Sequence, residues 1–409
     1  MPKSDQSTFS SIIARALHGA DVPLFEVAMP DGIRYRFGGS GAPAAAATGA
    51  APAFTVKLND AVAVAALKSL DELAVAEAYL NGNIDIEGDF LDVMSFRDYL
   101  HDKHLLLRLW RHLRPRLTGQ VKLDNKVIPR HYDHGNEFYL TFLDKQHRLY
   151  SQALFNSVNE TLEQAANNKL RHIWDICRLK PGARVLDVGG GWGSFVRFAA
   201  ERGADVTALT LSSQQFAYLS DLAGEPGFDG RIEVHKENIF SFRPGEKFDA
   251  VVILGVMEHL PDYQRLLNHL NQLMTDEARV YMDFAATRKK FELPSFAFQY
   301  IFEGNHTPVH MPGLVLAANE SPYEMILIQN DRLSYFLTLK AWARNLDDAR
   351  DQLVKKVGLQ VYRVFQLYLW STASALLRGR LESYRVVLQK SRGRDAAEVG
   401  LADLSAFAD

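Results

Sequence analysis

"RVLDVGGGWG", residues 184–193, is the stretch that decides the fold of this 409-residue chain. The apolar run before Gly189 predicts a buried β-strand, and the glycines that follow predict a tight turn into a helix. Glycines at such a junction let the backbone approach a bound ligand closely. The G-x-G-x-x-G spacing of dinucleotide-binding folds is absent, because Ser194 and Phe195 follow Gly193. The stretch therefore predicts a strand, a turn and a helix, with a ligand at the turn.

The residues around this stretch predict a parallel sheet. Further apolar runs lie at 205–211, 249–255 and 278–284, and apolar residues recur at helical spacing over about 161–178. Continuous apolar runs are typical of strands that are buried on both faces. We therefore expect an α/β fold with right-handed crossovers, closed by a helix and a final strand within 362–391.

The N-terminal part of the chain has a different pattern. Residues 22–36 alternate apolar and polar side chains around a Pro-Asp-Gly turn, which predicts a β-hairpin. A strand is predicted at 54–58, and helices at 61–69 and 70–81. The segment between hairpin and strand, 38–53, is rich in glycine, alanine and proline and predicts a loop.

Three regions follow from these patterns. Residues 1–116 are expected to form a small α/β domain associated with lipid or membrane, and residues 117–392 the parallel-sheet domain. Residues 393–409 are expected to be a flexible tail.

Composition excludes several function classes. With 46 basic and 49 acidic residues the net charge is −3, so we expect no nucleic-acid partner. The single cysteine, Cys177, excludes an intramolecular disulfide framework and is expected to be a core residue. Neither a secretory signal nor a membrane span is predicted. We assign no metal, because four of the histidines do not share a metal-binding spacing on one helix: His131, His134, His306 and His310.

A basic, leucine-rich stretch lies at 103–126. Six cations, interleaved with leucines, make it amphipathic: Lys103, Arg108, Arg111, Arg114, Arg116 and Lys122. Such a segment can lie in an anionic membrane interface. It can equally be a connecting helix whose leucines pack on the protein and whose arginines are solvated. Both interpretations stay open.

Further motifs turn the general pattern into a specific resemblance. Six segments accompany the glycine turn: "RHYDHGNEFYLTFLD" (130–144), "YSQALF" (150–155), "TLSSQQ" (210–215), "GVMEHLPDY" (255–263), "QYIFEGNHTP" (299–308) and "YFLTLKAW" (335–342). In this order they resemble the cyclopropane-fatty-acid synthase family, which includes the mycolic-acid methyltransferases. The resemblance covers roughly residues 128–390, and "EAYLNGNIDIEGD" (77–89) resembles the longer bacterial members.

This resemblance implies a fold, an activity and a cofactor. The fold is that of Rossmann-like class I methyltransferases, with a seven-stranded, mostly parallel sheet. The activity is transfer of a methyl group from S-adenosylmethionine to the cis double bond of an acyl chain, usually in a phospholipid. The implied cofactor-binding residues are Tyr150 and Ser151 at the methionine end, Asp187, Gly189, Gly190 and Gly191 near the backbone, Thr210, Leu211 and Gln215 near the ribose, and Asn238 and Ile239 near the adenine.

The catalytic residues depart from the family. Its ring-forming members hold a bicarbonate base with a cysteine, a glutamate, a histidine and a tyrosine, where this chain has Gln152, Glu258, Asp283 and Tyr335. An aspartate beside Glu258 would add negative charge, so we expect bicarbonate to be disfavoured. We hypothesise that Glu258 or Asp283, with its pKa raised by burial, is the base, and that His259 orients Glu258.

The sequence leaves open both the product and the residues that stabilise the carbocation formed on the way to it. Methyl addition to an alkene leaves a carbocation, which aromatic faces can stabilise. Candidates, each of which could instead be a core residue, are Tyr139, Tyr263, Tyr300, Phe302 and Tyr335. Loss of a proton then gives a methyl-branched, methylene or cyclopropane chain.

Three functions fit the sequence. The first is methylation of phospholipid acyl chains by a cytoplasmic enzyme that is peripherally attached to the inner face of the membrane. The second is C-methylation of a free or carrier-bound small molecule. The third is a non-catalytic lipid-binding partner. A homodimer is expected by resemblance alone.

Overall fold

The chain folds into two units, and each unit consists of three separate segments of the sequence. The computed structural model describes residues 3–38, 51–104, 135–228, 230–288, 294–302 and 306–390. One unit, here called the N-terminal unit, contains residues 1–143, 291–306 and 332–381. The other, the parallel-sheet unit, contains residues 144–290, 307–331 and 382–409. The predicted boundary at 116, the tail and most of the predicted loop lie outside the described residues.

The helices and strands are as follows. The helices are α1 (Lys3–Ala16), α2 (Ala61–Ser69), α3 (Glu72–Leu80), α4 (Phe90–Arg97), α5 (Asn136–Phe142), α6 (Leu162–Ile176), α7 (Ser194–Ala200), α8 (Ser213–Ala223), α9 (Tyr263–Leu273), α10 (Ser295–Tyr300), α11 (Met311–Asn319), α12 (Arg332–Asp348), α13 (Arg350–Val357) and α14 (Leu359–Leu377). The strands are β1 (Phe25–Ala28), β2 (Arg34–Phe37), β3 (Phe54–Leu58), β4 (Ile84–Gly88), β5 (Arg184–Val188), β6 (Asp205–Leu209), β7 (Ile232–His235), β8 (Phe248–Leu254), β9 (Met274–Thr287), β10 (Val309–His310), β11 (Tyr323–Asn330) and β12 (Glu382–Lys390). A short 3-10 helix, Met257–His259, follows β8.

The N-terminal unit contains a four-stranded sheet in the order β2-β1-β3-β4. Strands β1 and β2 pair antiparallel, which confirms the predicted hairpin, and β3 lies parallel to β1. Phe25 stacks on its register partner Phe54 with ring centroids 4.7 Å apart, so the two strands share an apolar face. Helices α2 and α3 begin where predicted, because the side chains of Asp60 and Asp71 accept hydrogen bonds from the first turns. The long helix α14 packs on α3 and α4.

The parallel-sheet unit confirms the predicted fold class. Its strand order is β11-β12-β9-β8-β5-β6-β7, and the short β10 pairs with the end of β9. Strands β7, β6, β5, β8 and β9 are parallel, whereas β12 and β11 run antiparallel at one side. The path of seven strands is the mostly parallel sheet that the family resemblance implied.

Helix α6 covers one face of this sheet. Thr161 and Gln164 form a capping box at its start, which explains why the helix begins there. Its apolar side, with Leu170 and Ile173, belongs to a buried core that also includes side chains of α7, α8 and the central strands. Cys177 is buried at the end of α6, as predicted, and burial raises the pKa of its thiol to about 12.

Membrane-spanning helices were sought in the described part of the chain. No helix there is both long and apolar enough to cross a bilayer.

Candidate active site

The loops that carry the predicted site residues meet at one edge of the parallel sheet. Strands β5, β6, β7 and β8 are parallel and end at Val188, Leu209, His235 and Leu254. The segments that follow them therefore lie side by side at the carboxyl edge, where parallel sheets bind ligands. These four segments are the glycine turn after β5, the segment after β6, the segment after β7 and the 3-10 helix after β8.

Gly189 and Gly191 shape the turn after β5. Gly189 has φ +86°, and a Cβ built there would lie 2.5 Å from Cγ2 of Val256, so any side chain would collide with the segment after β8. Gly191 has φ +53°, and the nearest atom to a Cβ there would be the Gly189 carbonyl oxygen at 3.8 Å. Gly189 thus lets two loops approach each other, whereas Gly191 faces open space. Gly190 sits between them, and its N–H donates to the Leu209 carbonyl at 3.0 Å.

The segment after β6 is held by its own side chains. Thr210 donates to Oε1 of Gln215 at 2.8 Å and accepts from the Ser212 N–H at 3.1 Å. Ser212 caps α8 by accepting from the Gln215 N–H at 3.3 Å. Leu211 lies half-buried between these residues. The arrangement is rigid and places Thr210, Leu211 and Gln215 at the same edge as the glycine turn.

The segment after β7 is also an ordered turn. The side chain of Asn238 accepts from the Phe240 N–H at 3.0 Å, and its carbonyl accepts from the Phe242 N–H at 3.1 Å. Asn238 and Ile239 are both buried. The predicted adenine-side residues therefore lie in an ordered turn at the carboxyl edge of the sheet.

Glu258 is a buried carboxyl group, one oxygen of which accepts a hydrogen bond. It lies in the 3-10 helix and is 5% exposed. Its Oε1 accepts from the Ala285 N–H at 2.7 Å, and its Oε2 has no hydrogen-bond partner among the described residues. Burial raises the pKa of Glu258 to about 7, and the charge of Asp283 adds to this. A carboxyl group of this kind can take up and release a proton near neutral pH.

Two neighbours of Glu258, His259 and Tyr263, are neutral. Burial lowers the pKa of His259 to about 4, so its imidazole carries no charge at neutral pH. Tyr263, at the start of α9, accepts from the His310 N–H at 3.0 Å. Burial and the Glu258 carboxylate raise the pKa of Tyr263, which keeps it protonated.

Asp283 forms an ion pair that the sequence analysis missed. Nζ of Lys169 lies 2.6 Å from Oδ2 of Asp283, and each side chain is only 1% exposed. The same Nζ donates to Oγ of Ser151 at 2.6 Å, and the Gly255 N–H donates to Oδ1 of Asp283 at 3.1 Å. The sequence analysis expected Asp283 to add negative charge beside Glu258, and Lys169 offsets part of that charge. A lysine within the apolar side of α6, between Ala166 and Ile173, was the available signal.

Tyr150 and Gln152 flank Ser151 in different surroundings. The Tyr150 ring packs edge to face on Trp192 of the glycine turn, with centroids 5.4 Å apart. Gln152 is buried, accepts a hydrogen bond from Ser383 and donates to Asp331 at 3.3 Å. Gln152 thus links β12 to the end of β11, and neither partner was predicted from the sequence.

The remaining predicted aromatics lie in the N-terminal unit. Tyr335, on α12, packs edge to face on Trp342. Tyr139 packs among aromatic side chains of α5 and α14, and Tyr300 donates to Glu77 at 3.0 Å. Phe302 stacks on His306 with centroids 3.6 Å apart. Within their own unit these four side chains have packing or hydrogen-bonding roles, and their catalytic roles stay predictions.

Comparison with known families decides the assignment. Residues 120–386, more than half of the chain, match the family model described as mycolic acid cyclopropane synthetase. The chain belongs to this family. Residues 17–104 match a second model, described as a domain of unknown function (DUF7884).

Relatives of this mycolic acid cyclopropane synthetase family member include lipid methyltransferases. A probable fatty acid methyltransferase of Mycobacterium tuberculosis is 31% identical over 304 residues, which cover 70% of this chain and 68% of that protein. A sphingolipid C9-methyltransferase of Komagataella phaffii is 28% identical over 338 residues, covering 77% of this chain and 69% of that protein. The crystal structure of mycolic acid cyclopropane synthase CmaA1 with SAH and CTAB shares the fold at a TM-score of 0.60, with 23% identity, 64% of this chain and 96% of that chain covered. The protein is a methyltransferase that uses S-adenosylmethionine.

The carboxyl edge of this family member fits that cofactor. Asp187, at the end of β5, is buried, and its Oδ1 has no hydrogen-bond partner among the described residues. Burial raises the pKa of Asp187 to about 7, and a donor on a bound ligand would stabilise its ionised form. Gly191 leaves room next to it that a side chain would fill. Asp187, Ser151 and the backbone of the glycine turn would hold the cofactor.

Gly189→Ala is expected to weaken cofactor binding at least tenfold. The new Cβ would meet Val256 at 2.5 Å and push the glycine turn away from the segment after β8. Titration calorimetry with S-adenosylhomocysteine measures the effect. Gly227→Ala is the matched control, because Gly227 has a similar φ of +96° but nothing within 4 Å of a Cβ. Equal binding by both variants would contradict a role for the Gly189 contact.

Proposed function

We propose that this methyltransferase adds a carbon to the cis double bond of unsaturated acyl chains in phospholipids. The observation that carries the proposal is Glu258, a buried carboxyl with a pKa of about 7 and one oxygen that no described residue hydrogen-bonds. The names of the relatives, fatty acid and sphingolipid methyltransferases, support a lipid chain as the substrate.

The chemistry of an alkene explains why such a carboxyl is needed. When bound, S-adenosylmethionine supplies an electrophilic methyl group. The electron pair of the double bond forms the new carbon–carbon bond, and the chain, now positively charged, must lose a proton from carbon. Amine and alcohol substrates lose a proton from nitrogen or oxygen, which water can accept. A carbon acid next to a cation requires a base held in place and shielded from water.

The residues of the site have separate roles in this reaction. Asp187, Ser151 and the glycine turn bind and orient the cofactor. Glu258 is held by the Ala285 N–H and presents Oε2, which accepts the proton. The apolar surroundings that raise its pKa also keep water from intercepting the cation.

Labelled methyl groups test the proposal. A host that lacks its own cyclopropane synthase expresses the chain and is fed methyl-deuterated methionine, and its phospholipid fatty acids are analysed by mass spectrometry. A gain that retains two deuteriums indicates a cyclopropane or methylene product, and a gain that retains three indicates a methyl branch; both support the proposal. The same host expressing Glu258→Gln is the control. Fatty acids without label would overturn it, and label in a soluble small molecule would favour the alternative C-methylation.

We also propose that the enzyme works as a peripheral protein on the inner face of the membrane. The basic stretch at 103–126 supports this, although most of it lies outside the described residues. Sedimentation with anionic and zwitterionic vesicles tests it, since an electrostatic attachment requires the anionic lipid and weakens with salt. The homodimer stays a prediction, for which the molar mass in solution is the test.

A further inference from the structure

Lys169 is a buried cation that the methyl transfer described above does not use. It projects from α6 towards the carboxyl edge of the sheet, and its side chain is 1% exposed. An ammonium group in a protein interior is strongly disfavoured unless it is paired and hydrogen-bonded. Its two partners here belong to different parts of the site: Ser151 to the cofactor side and Asp283 to the proton-accepting side.

The carboxyl groups around Lys169 all respond to its charge. Burial raises the pKa of Asp187 on β5, of Asp283 on β9 and of Asp331 after β11, and the Lys169 ammonium opposes the rise in each case. Arg385 on β12 also opposes it at Asp283 and Asp331. Tyr281, on the same face of β9, stays protonated because its pKa is raised well above the ordinary value. The set thus contains two cations, Lys169 and Arg385, for more carboxyl groups than they can balance.

The hydrogen bonds distinguish Asp283 from Glu258. Each oxygen of Asp283 faces a donor group, since Oδ2 is ion-paired with Lys169 and Oδ1 accepts a hydrogen bond from the Gly255 N–H. Glu258 has one accepting oxygen and one without a partner in the described part of the chain. A carboxylate with both oxygens engaged by donors holds its charge, and a half-engaged one exchanges a proton more readily.

We propose that Lys169 is a positioning residue, which holds Asp283 as a fixed carboxylate and leaves Glu258 as the carboxyl group that exchanges the proton. The inference rests on the proposed function only for the identity of the substrate. It narrows the hypothesis that Glu258 or Asp283 is the base to Glu258 alone.

Infrared spectroscopy tests the ionisation of Asp283 without any substrate. The carbonyl band of protonated carboxyl groups is compared at pH 5, below the pKa of the neighbouring Asp187 and Glu258, between wild type, Lys169→Met, Lys169→Arg and Asp283→Asn. We expect the wild type and Asp283→Asn to give the same band, because Asp283 carries no proton. Lys169→Met should gain one protonated carboxyl, which disappears in Lys169→Met/Asp283→Asn, and Lys169→Arg should resemble the wild type. Loss of a band in Asp283→Asn alone would overturn the proposal, and this comparison does not require Lys169→Met to fold.

The pH profile of turnover separates positioning from a structural role. Without its cation, Asp283 keeps a proton at acid pH and repels the Glu258 carboxylate only once both groups ionise at higher pH, so the midpoint of kcat in Lys169→Met should move about one pH unit or more to the alkaline side. Lys169→Arg should keep the wild-type midpoint, and the double variant should return towards it, since it leaves no unpaired buried charge. An equal loss of kcat at every pH would mean that Lys169 is structural only. If unsaturated phospholipid proves not to be a substrate, the infrared comparison still tests the role of Lys169, because it uses no substrate. The proposed function and the role of Lys169 can therefore fail independently.

Discussion

Replacing Glu258 with glutamine is expected to lower kcat about a thousandfold while the affinity for S-adenosylhomocysteine stays within about twofold of the wild type. Glutamine can still accept from the Ala285 N–H, so the 3-10 helix keeps its anchor, but the neutral amide cannot take up a proton. Methyl incorporation into unsaturated phospholipid measures kcat, and calorimetry measures binding. The matched control is Glu233→Gln, which changes an exposed carboxyl group on β7. Retained turnover in Glu258→Gln would remove Glu258 as the base.

The pH dependence of the wild type follows from the same carboxyl group. Because burial raises the pKa of Glu258 to about 7, its basic form increases as the pH rises through that value. We expect kcat to increase over roughly pH 6 to pH 8 and then to level off. A profile that is flat over this window would contradict the assignment.

The raised pKa also means that Glu258 lowers the free energy of unfolding at neutral and alkaline pH. The ordinary pKa of the side chain is 4.5 and the folded value is about 7, so in this interval the unfolded chain loses a proton that the folded protein keeps. Stability therefore declines as the pH rises from about 4.5, and the loss is complete above about 7, at roughly 3 kcal/mol. Glu258→Gln should accordingly raise the thermal midpoint at pH 8 and leave it unchanged near pH 4. Lost activity with gained stability would be hard to explain for a residue with a purely structural role.

Arg363→Met is expected to lower the stability of the N-terminal unit by about 3 kcal/mol. The buried guanidinium donates to the carbonyls of Tyr79 and Ile84, pairs with Asp85, and lies 4.5 Å over the Tyr79 ring. Methionine would fill part of the volume but remove one donor from each of the two carbonyl groups and from the Asp85 carboxylate, of which the Tyr79 carbonyl keeps the Gly82 N–H and Asp85 keeps the Asn59 amide. For a unit of this size the thermal midpoint should drop by roughly 6–12 °C.

The matched control is Arg344→Met on α12, since Arg344 is exposed. Surface changes of this kind alter stability by about 0.5 kcal/mol or less. Scanning calorimetry compares the two variants. Equal midpoints would show that the buried hydrogen bonds of Arg363 contribute little.

The sequence was sufficient for the local features of the fold. The hairpin, the strand before Gly189 and the start of α6 at Thr161 each depend on residues within one or two turns of chain. Strands β7 and β11 were not predicted. Strand β7 has four residues, and β11 is an edge strand with largely exposed side chains, so neither shows a buried apolar run.

The site was predictable where its residues adjoin a motif and unpredictable where distant segments meet. Glu258 follows the end of β8 and was found, whereas Lys169, in the middle of α6, was not singled out. Its burial depends on Asp283, which the fold brings to it from another strand. Ser383 and Asp331 were missed for the same reason, because Gln152 pairs with them across the sheet.

The division into discontinuous units has a consequence for synthesis of the chain. The unit begun by residues 1–143 is completed by residues 332–381, and Arg363 joins α14 to the end of α3 and the start of β4. At about 5–20 residues per second, a ribosome needs roughly 10 to 50 s to reach α14 after the first stretch has emerged. During this time the apolar surfaces of α3 and α4 that later meet α14 face solvent or a chaperone. We expect the nascent N-terminal segment to bind chaperones until release of the last helix, and a fragment that ends before α12 to aggregate rather than fold.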